Sequence, residues 1–245
     1  MNQVIKYLSQ RKQFENILNS QKEIHCGNDE SFAFYVYYRY LTNPSQIVIV
    51  TENLYACQNL FNKLSLMLQD KVFMYCVDEI TKYTSLATSP EMASQRLFIL
   101  NKLIENEPIV VITHTMAVKR LTPSMEMFKK KIINLKVNQE QSIDLVKNGY
   151  KNVYKVTQPF EFSTRGGVID IYSINYENPI RIEFFDTEIE SIRFFDIESQ
   201  KTIETIDHVY VIPASEFLLN EENKAREQVE FLEETKKLAL TELTK

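Results

Sequence analysis

The sequence predicts an α/β fold: an open parallel layer, followed by a smaller α/β unit built largely from antiparallel strands. Three observations lead there. The first half alternates helical stripes with short apolar strands, the pattern of a parallel sheet covered by helices. A basic, proline-containing connector, "KRLTPSMEMFKKK", then interrupts the alternation after about Lys119. Beyond it, closely spaced strand candidates suit antiparallel hairpins.

Residues 2–19 carry Val4, Ile5, Leu8, Phe14, Ile17 and Leu18 at roughly helical spacing. "KEIHCG" reads as a short strand ending at Gly27, and residues 29–41 as an aromatic helix whose tyrosines belong to a core. "QIVIVT" (46–51) reads as an apolar strand buried on both faces. A helix over 53–69, a strand over 71–76, a helix starting at Ser89-Pro90-Glu91 and a strand "PIVVITH" (108–114) complete a four-strand layer. The second unit opens with a strand over 132–137 and a helix over 139–149 closed by Gly149. Strands follow over 161–173, 179–186 and 188–195, then 210–217, and a charged helix over 220–243.

Composition narrows the function classes. The 245 residues are 44% hydrophobic and 25% charged, as in an ordinary globular protein. A net charge of −5 argues against broad non-specific nucleic-acid binding. Cys26, Cys57 and Cys76 form no C-x-x-C pair and only three histidines are present, so a metal site has little support. No apolar run reaches the roughly 20 residues of a membrane span, and the first residues lack a secretory layout. The expected setting is cytoplasmic, with no membrane partner.

A parallel layer invites nucleotide binding at its first strand–helix turn. A phosphate-binding loop needs glycines, a lysine and a Ser/Thr. Here that turn is "HCGNDESF", with one glycine, no lysine, and Asp29 and Glu30 where an anion would sit. Neither nucleotide nor metal is expected there. The other candidates read as structural: Asp78 and Glu79 in a polar loop, His114 as a buried hydrogen-bonding residue, Ser31, Ser89 and Ser163 outside any nucleophile elbow, and Lys129–Lys131 as a helix end. No active site assembles.

In "NPIRIEFFD", Ile180, Ile182 and Phe184 alternate with Arg181, Glu183 and Phe185. The first set is a core face. The second carries an aromatic among charges: either an exposed interaction anchor or a satellite of the core under the Asp186 turn.

The run from Phe162 to Phe217, "FSTRGGVIDIY…NPIRIEFFDTEIESIRFFDIESQ…IPASEF", strongly resembles the module shared by the bacterial transcription-repair coupling factors (Mfd) and the excision-repair protein UvrB. Ser173 departs from that pattern, which usually has proline there. UvrB has an intact phosphate loop and a long DNA-clamping hairpin, so the chain is more similar to the coupling factors. The resemblance implies a degenerate P-loop-NTPase-like first domain over 1–118 and an inserted UvrA-binding domain over 119–207. It implies a return into the first domain over 208–245. It also implies an N-terminal, non-catalytic repair module without a cofactor of its own. ATP, magnesium, RNA polymerase and DNA would belong to the remaining domains of the full-length protein. The alternative is a divergent UvrB-like ATPase subunit of nucleotide excision repair. Carried over by position, the UvrA-contacting residues are Arg165, Arg181 and Phe185. Gly166 and Gly167, set within the strand 161–173, are expected to allow a bulge or close backbone approach that aims Arg165. Gly167→Ala should then be mild and Gly166→Val severe.

Overall fold

The computed structural model describes Cys26 and residues 28–77, 90–119 and 122–215. It is a mixed α/β protein with a parallel sheet and antiparallel strands, and the chain divides into two units between Leu121 and Thr122.

The first unit contains α1 (Asp29–Thr42), β1 (Ile47–Thr51), α2 (Leu54–Leu68), β2 (Val72–Tyr75), α3 (Pro90–Ile104), β3 (Val110–His114) and the short α4 (Thr115–Val118). Its three strands are parallel in the order β1-β3-β2, with Ile47 and Val72 both in register with Val110. Asparagines start both leading helices: Asn28 Oδ1 accepts the Ser31 N–H and Asn53 Oδ1 accepts the Ala56 N–H. Tyr37, Tyr40, Cys57, Leu60 and Leu64 pack with Ile49, Val110 and Ile112. Tyr75, Ile99, Ile109, Val111 and Ala117 form a second cluster. The central strand β3 is buried along its whole length. β1 departs from expectation: among the described residues it is an edge strand, and Val48 and Val50 on one of its faces are more than half exposed. The expected strand "KEIHCG" and the helices over 2–19 and 220–243 lie outside the described residues, as do Asp78, Glu79 and Ser89.

The second unit contains α5 (Met125–Lys131), β4 (Ile133–Lys136), β5 (Lys151–Asn152), β6 (Glu161–Arg165), β7 (Val168–Ile171), β8 (Ile180–Phe185), β9 (Glu188–Phe195), β10 (Thr202–Ile206) and β11 (His208–Val211). Lys129–Lys131 close α5, as read from the sequence. Six strands form one sheet in the order β10-β9-β8-β7-β6-β5, antiparallel except for the β5–β6 pair. A ribbon of β4 and β11 packs on it, with Leu135, Val209 and Val211 sharing a core with Tyr150, Ile171, Ile180 and Ile182. Residue 208, where the sequence places a return to the first layer, therefore begins a strand of the second unit, and the described chain stays there through Ser215.

Two local readings change. Residues 139–149 form no helix. The N–H groups of Asn138 and Gln141 instead donate to Ile189 and Thr187, and Gln139 accepts from Ile189. These backbone groups serve the start of β9, and a helix would have to break those bonds. A single turn at 145–149 remains, ended by Gly149 at φ +89 as its capping role requires. The stretch 161–173 is two strands rather than one. Arg165 pairs directly with Val168, and Gly166-Gly167 is the two-residue turn between them. Only Gly166 has positive φ (+58), the arrangement of a type II′ hairpin.

Candidate interaction surface

The outer face of the antiparallel sheet carries all three candidate residues. Ile180 and Ile182 point into the core, fully buried, and Phe184 packs against it. Arg181, Glu183 and Phe185 take the opposite face, as the alternation requires. One row across it reads Ser163, Asp170, Arg181, Arg193; the next reads Arg165, Val168, Glu183, Ser191. A groove of about 300 Å³ runs along these rows.

Most of the charge in the groove is internally matched. Arg181 grips Asp170 through two bonds, Nε to Oδ1 at 2.6 Å and Nη2 to Oδ2 at 2.9 Å. Its Nη2 also donates to Gln200 Oε1 at 2.9 Å, and the guanidinium lies 4.3 Å from the Phe195 ring centre. The hydrogen bonds to Asp170 raise the Arg181 pKa further above its already high value. Glu183 accepts from both Arg193 nitrogens and from Ser191, and the Arg193 contact holds its carboxyl below the usual range. Arg181 and Arg193 are cross-strand neighbours of like charge, a juxtaposition that their two carboxylates compensate.

Arg165 is different. It is exposed, donates to the Tyr154 carbonyl and lies 4.8 Å from the centre of the Tyr154 ring. Among the described residues no carboxylate is within ion-pairing distance of it. Phe185 is 76% exposed, which decides between the two sequence readings against a satellite of the core. Arg181 takes the outward face, but its side chain is only 18% exposed and is hydrogen-bonded on the sheet.

The strand directions bring the exposed groups together. β6 ends at Arg165, β8 ends at Phe185, and β5 runs parallel to β6 just before Tyr154. All three termini lie at one end of the sheet. The glycine turn sits there too: Gly167 O accepts the Phe184 N–H at 2.7 Å. A Cβ on Gly167 would stand 2.8 Å from Phe184 O, whereas one on Gly166 would meet nothing. The close backbone approach is therefore real, but it occurs at Gly167 and beside Phe185.

In the first unit, the turn tested for phosphate binding is occupied by charge of its own. Lys63 of α2 pairs with Glu30 at 2.7 Å and Asp29 at 3.4 Å. His114 is buried, and its Nε2 accepts the Val77 N–H. Among the described residues no group of acidic, histidine or cysteine side chains could hold a metal ion.

Residues 133–217 match the family model of the UvrB interaction domain. That match spans β4 to β11 of the second unit. It is 34% identical over 241 residues to the transcription-repair-coupling factor of Bacillus subtilis, covering 92% of this chain and 20% of that protein. The corresponding factors of Staphylococcus aureus and Staphylococcus epidermidis are 34% and 33% identical over 190 residues, 75% of this chain and 16% of each relative. The chain thus spans a fifth or less of these relatives and is an N-terminal module of the coupling-factor kind.

Proposed function

We propose that this module docks UvrA through the outer face of its second unit, recruiting excision repair to stalled RNA polymerase in the cytoplasm. One observation carries the reading: Phe185 stands exposed at the same end of the sheet as Arg165, which has no carboxylate partner among the described residues. Exposed aromatic and arginine side chains are the usual anchors of protein interfaces. The UvrB interaction domain match and the coupling-factor relatives support the same reading. The first unit acts as a scaffold of degenerate P-loop-like fold. It binds no nucleotide or metal and performs no catalysis. ATP hydrolysis on magnesium, DNA translocation and polymerase binding belong to the remaining domains of the full-length protein. No described helix is long and apolar enough to cross a membrane.

Phe185→Ala should weaken UvrA binding by about 30-fold or more, an interfacial loss of roughly 2–4 kcal/mol, with an unchanged unfolding midpoint. Arg165→Glu should do likewise. Arg181→Glu is a poorer probe, because it places a carboxylate against Asp170 and disturbs the sheet itself. Calorimetric titration with UvrA checks all three; full-strength binding by Phe185→Ala rejects the assignment. Measurable ATP binding by the wild-type chain would favour the alternative, a divergent ATPase subunit, over a scaffold.

A further inference from the structure

Tyr154 stands out among the remaining surface residues. It is 88% exposed, the most open large apolar side chain among the described residues. A solvated tyrosine ring wastes the contact area for which aromatics are used at interfaces. Its backbone, by contrast, is fixed. The Tyr154 carbonyl accepts from Ser163 Oγ at 3.0 Å and from Arg165, and its ring lies against the same guanidinium. Ser163 is buried, so this anchoring is rigid.

We propose that Tyr154 is a partner-contacting residue of the docking surface, and that its ring and carbonyl together aim Arg165 at a carboxylate of UvrA. This rests on the UvrA-docking reading above. The charge argument comes from the groove. Three guanidiniums line it against two carboxylates, and the one without a carboxylate partner among the described residues is Arg165. A partner seated there supplies the missing negative charge. Tyr154 and Phe185 flank that charge: Tyr154 follows β5 on one side of β6, β8 lies two strand spacings, roughly 10 Å, on the other, and all three strands end at the same end of the sheet. The surface therefore suits a protein patch with one carboxylate between two apolar contacts.

The test uses the full chain and purified UvrA, titrated at low and high salt. Tyr154→Phe keeps the ring and carbonyl and should bind within about twofold of wild type. Tyr154→Ala should weaken binding tenfold or more and flatten its salt dependence as Arg165→Ala does. Combined, Tyr154→Ala and Arg165→Ala should cost less than the product of the two single losses. Full-strength binding by Tyr154→Ala, or an additive pair with an unchanged salt slope, overturns the proposal. If Phe185→Ala weakens binding and Tyr154→Ala does not, only this inference fails. If wild type does not bind UvrA, the docking reading fails as well. The exposed ring contributes nothing to the core, so its removal leaves the fold intact, and the unfolding midpoint of each variant checks this.

Discussion

At Gly167 an added Cβ would stand 2.8 Å from a backbone oxygen, that of Phe184, in the strand that presents Phe185. Gly166 has open space around it but holds φ +58, where an L side chain is strained. The mild effect expected of Gly167→Ala does not survive this geometry, whereas Gly166→Val still meets a backbone that a β-branched side chain resists. Gly167→Ala should destabilise by about 1–3 kcal/mol, as overpacking does, and should also weaken UvrA binding by displacing Phe185. Gly166→Ala should cost about 1–2 kcal/mol and leave the affinity of the folded protein almost unchanged. Denaturant unfolding and UvrA titration of both variants separate these effects; a neutral Gly167→Ala would remove the close approach from the account. Spacing alone made Phe185 legible as the outward member of its strand. It could not show that Arg181 is engaged, because Asp170 and Gln200 are distant in sequence and meet it only through strand register. Ser173 was equally opaque. Marked in the sequence only as a departure from the family pattern, it is fully buried, with its hydroxyl 3.0 Å from that of Tyr150 and accepting the Ile212 N–H.

The strands that were read correctly have a strong core face: β8 buries Ile180 and Ile182 in alternation, β9 buries Ile189, Ile192 and Phe195, and β3 is buried throughout. β10, "TIETI", went unread because it is an edge strand with almost every residue exposed, so no buried face marks it. The helix expected over 139–149 failed for another reason: backbone groups at Asn138, Gln139 and Gln141 are claimed by the start of β9. The segment that carries Tyr154 has its own fastening. The buried Glu161 carboxylate accepts from the Thr157 N–H and hydroxyl and from the Gln158 N–H and side-chain amide. Burial works against its charged form, but these donors outweigh it and hold its pKa below the usual value. A depressed carboxyl stabilises fully above the unfolded pKa, about 4.3, and loses that contribution as pH falls through the folded value. Glu161→Gln should therefore cost about 1–3 kcal/mol at pH 7, with the gap from wild type narrowing below pH ~4. Urea unfolding at the two pH values measures it; a gap that persists in acid would mean the charge is not what fastens the segment.

At the scale of the molecule, each unit closes its own core. Among the described residues, the second unit's cluster draws on residues between Ile133 and Ala214, and Tyr154, Arg165, Arg181 and Phe185 all belong to that unit. Tyr150 ties its two ends: the buried hydroxyl donates to Ile212 O at 2.7 Å, joining the start of the sheet to the segment after β11. Gly149 lies against the same segment, where a Cβ would come within 2.8 Å of Ser215 Cβ. A chain of this length, with a continuous core and both ends pinned, has the size and closure of an independent domain. Residues 122–215 produced alone should fold cooperatively and bind UvrA with the affinity of the whole chain, still dependent on Phe185. Truncation at residue 207 should instead remove β11, with Val209 and Val211 from the core and Ile212 from Tyr150, and abolish folding. Circular dichroism melts and UvrA titrations of the two pieces give the answer. If the shorter piece folded and bound, the second unit would end at 207 after all, and β11 would belong with the return to the first layer that the resemblance implies.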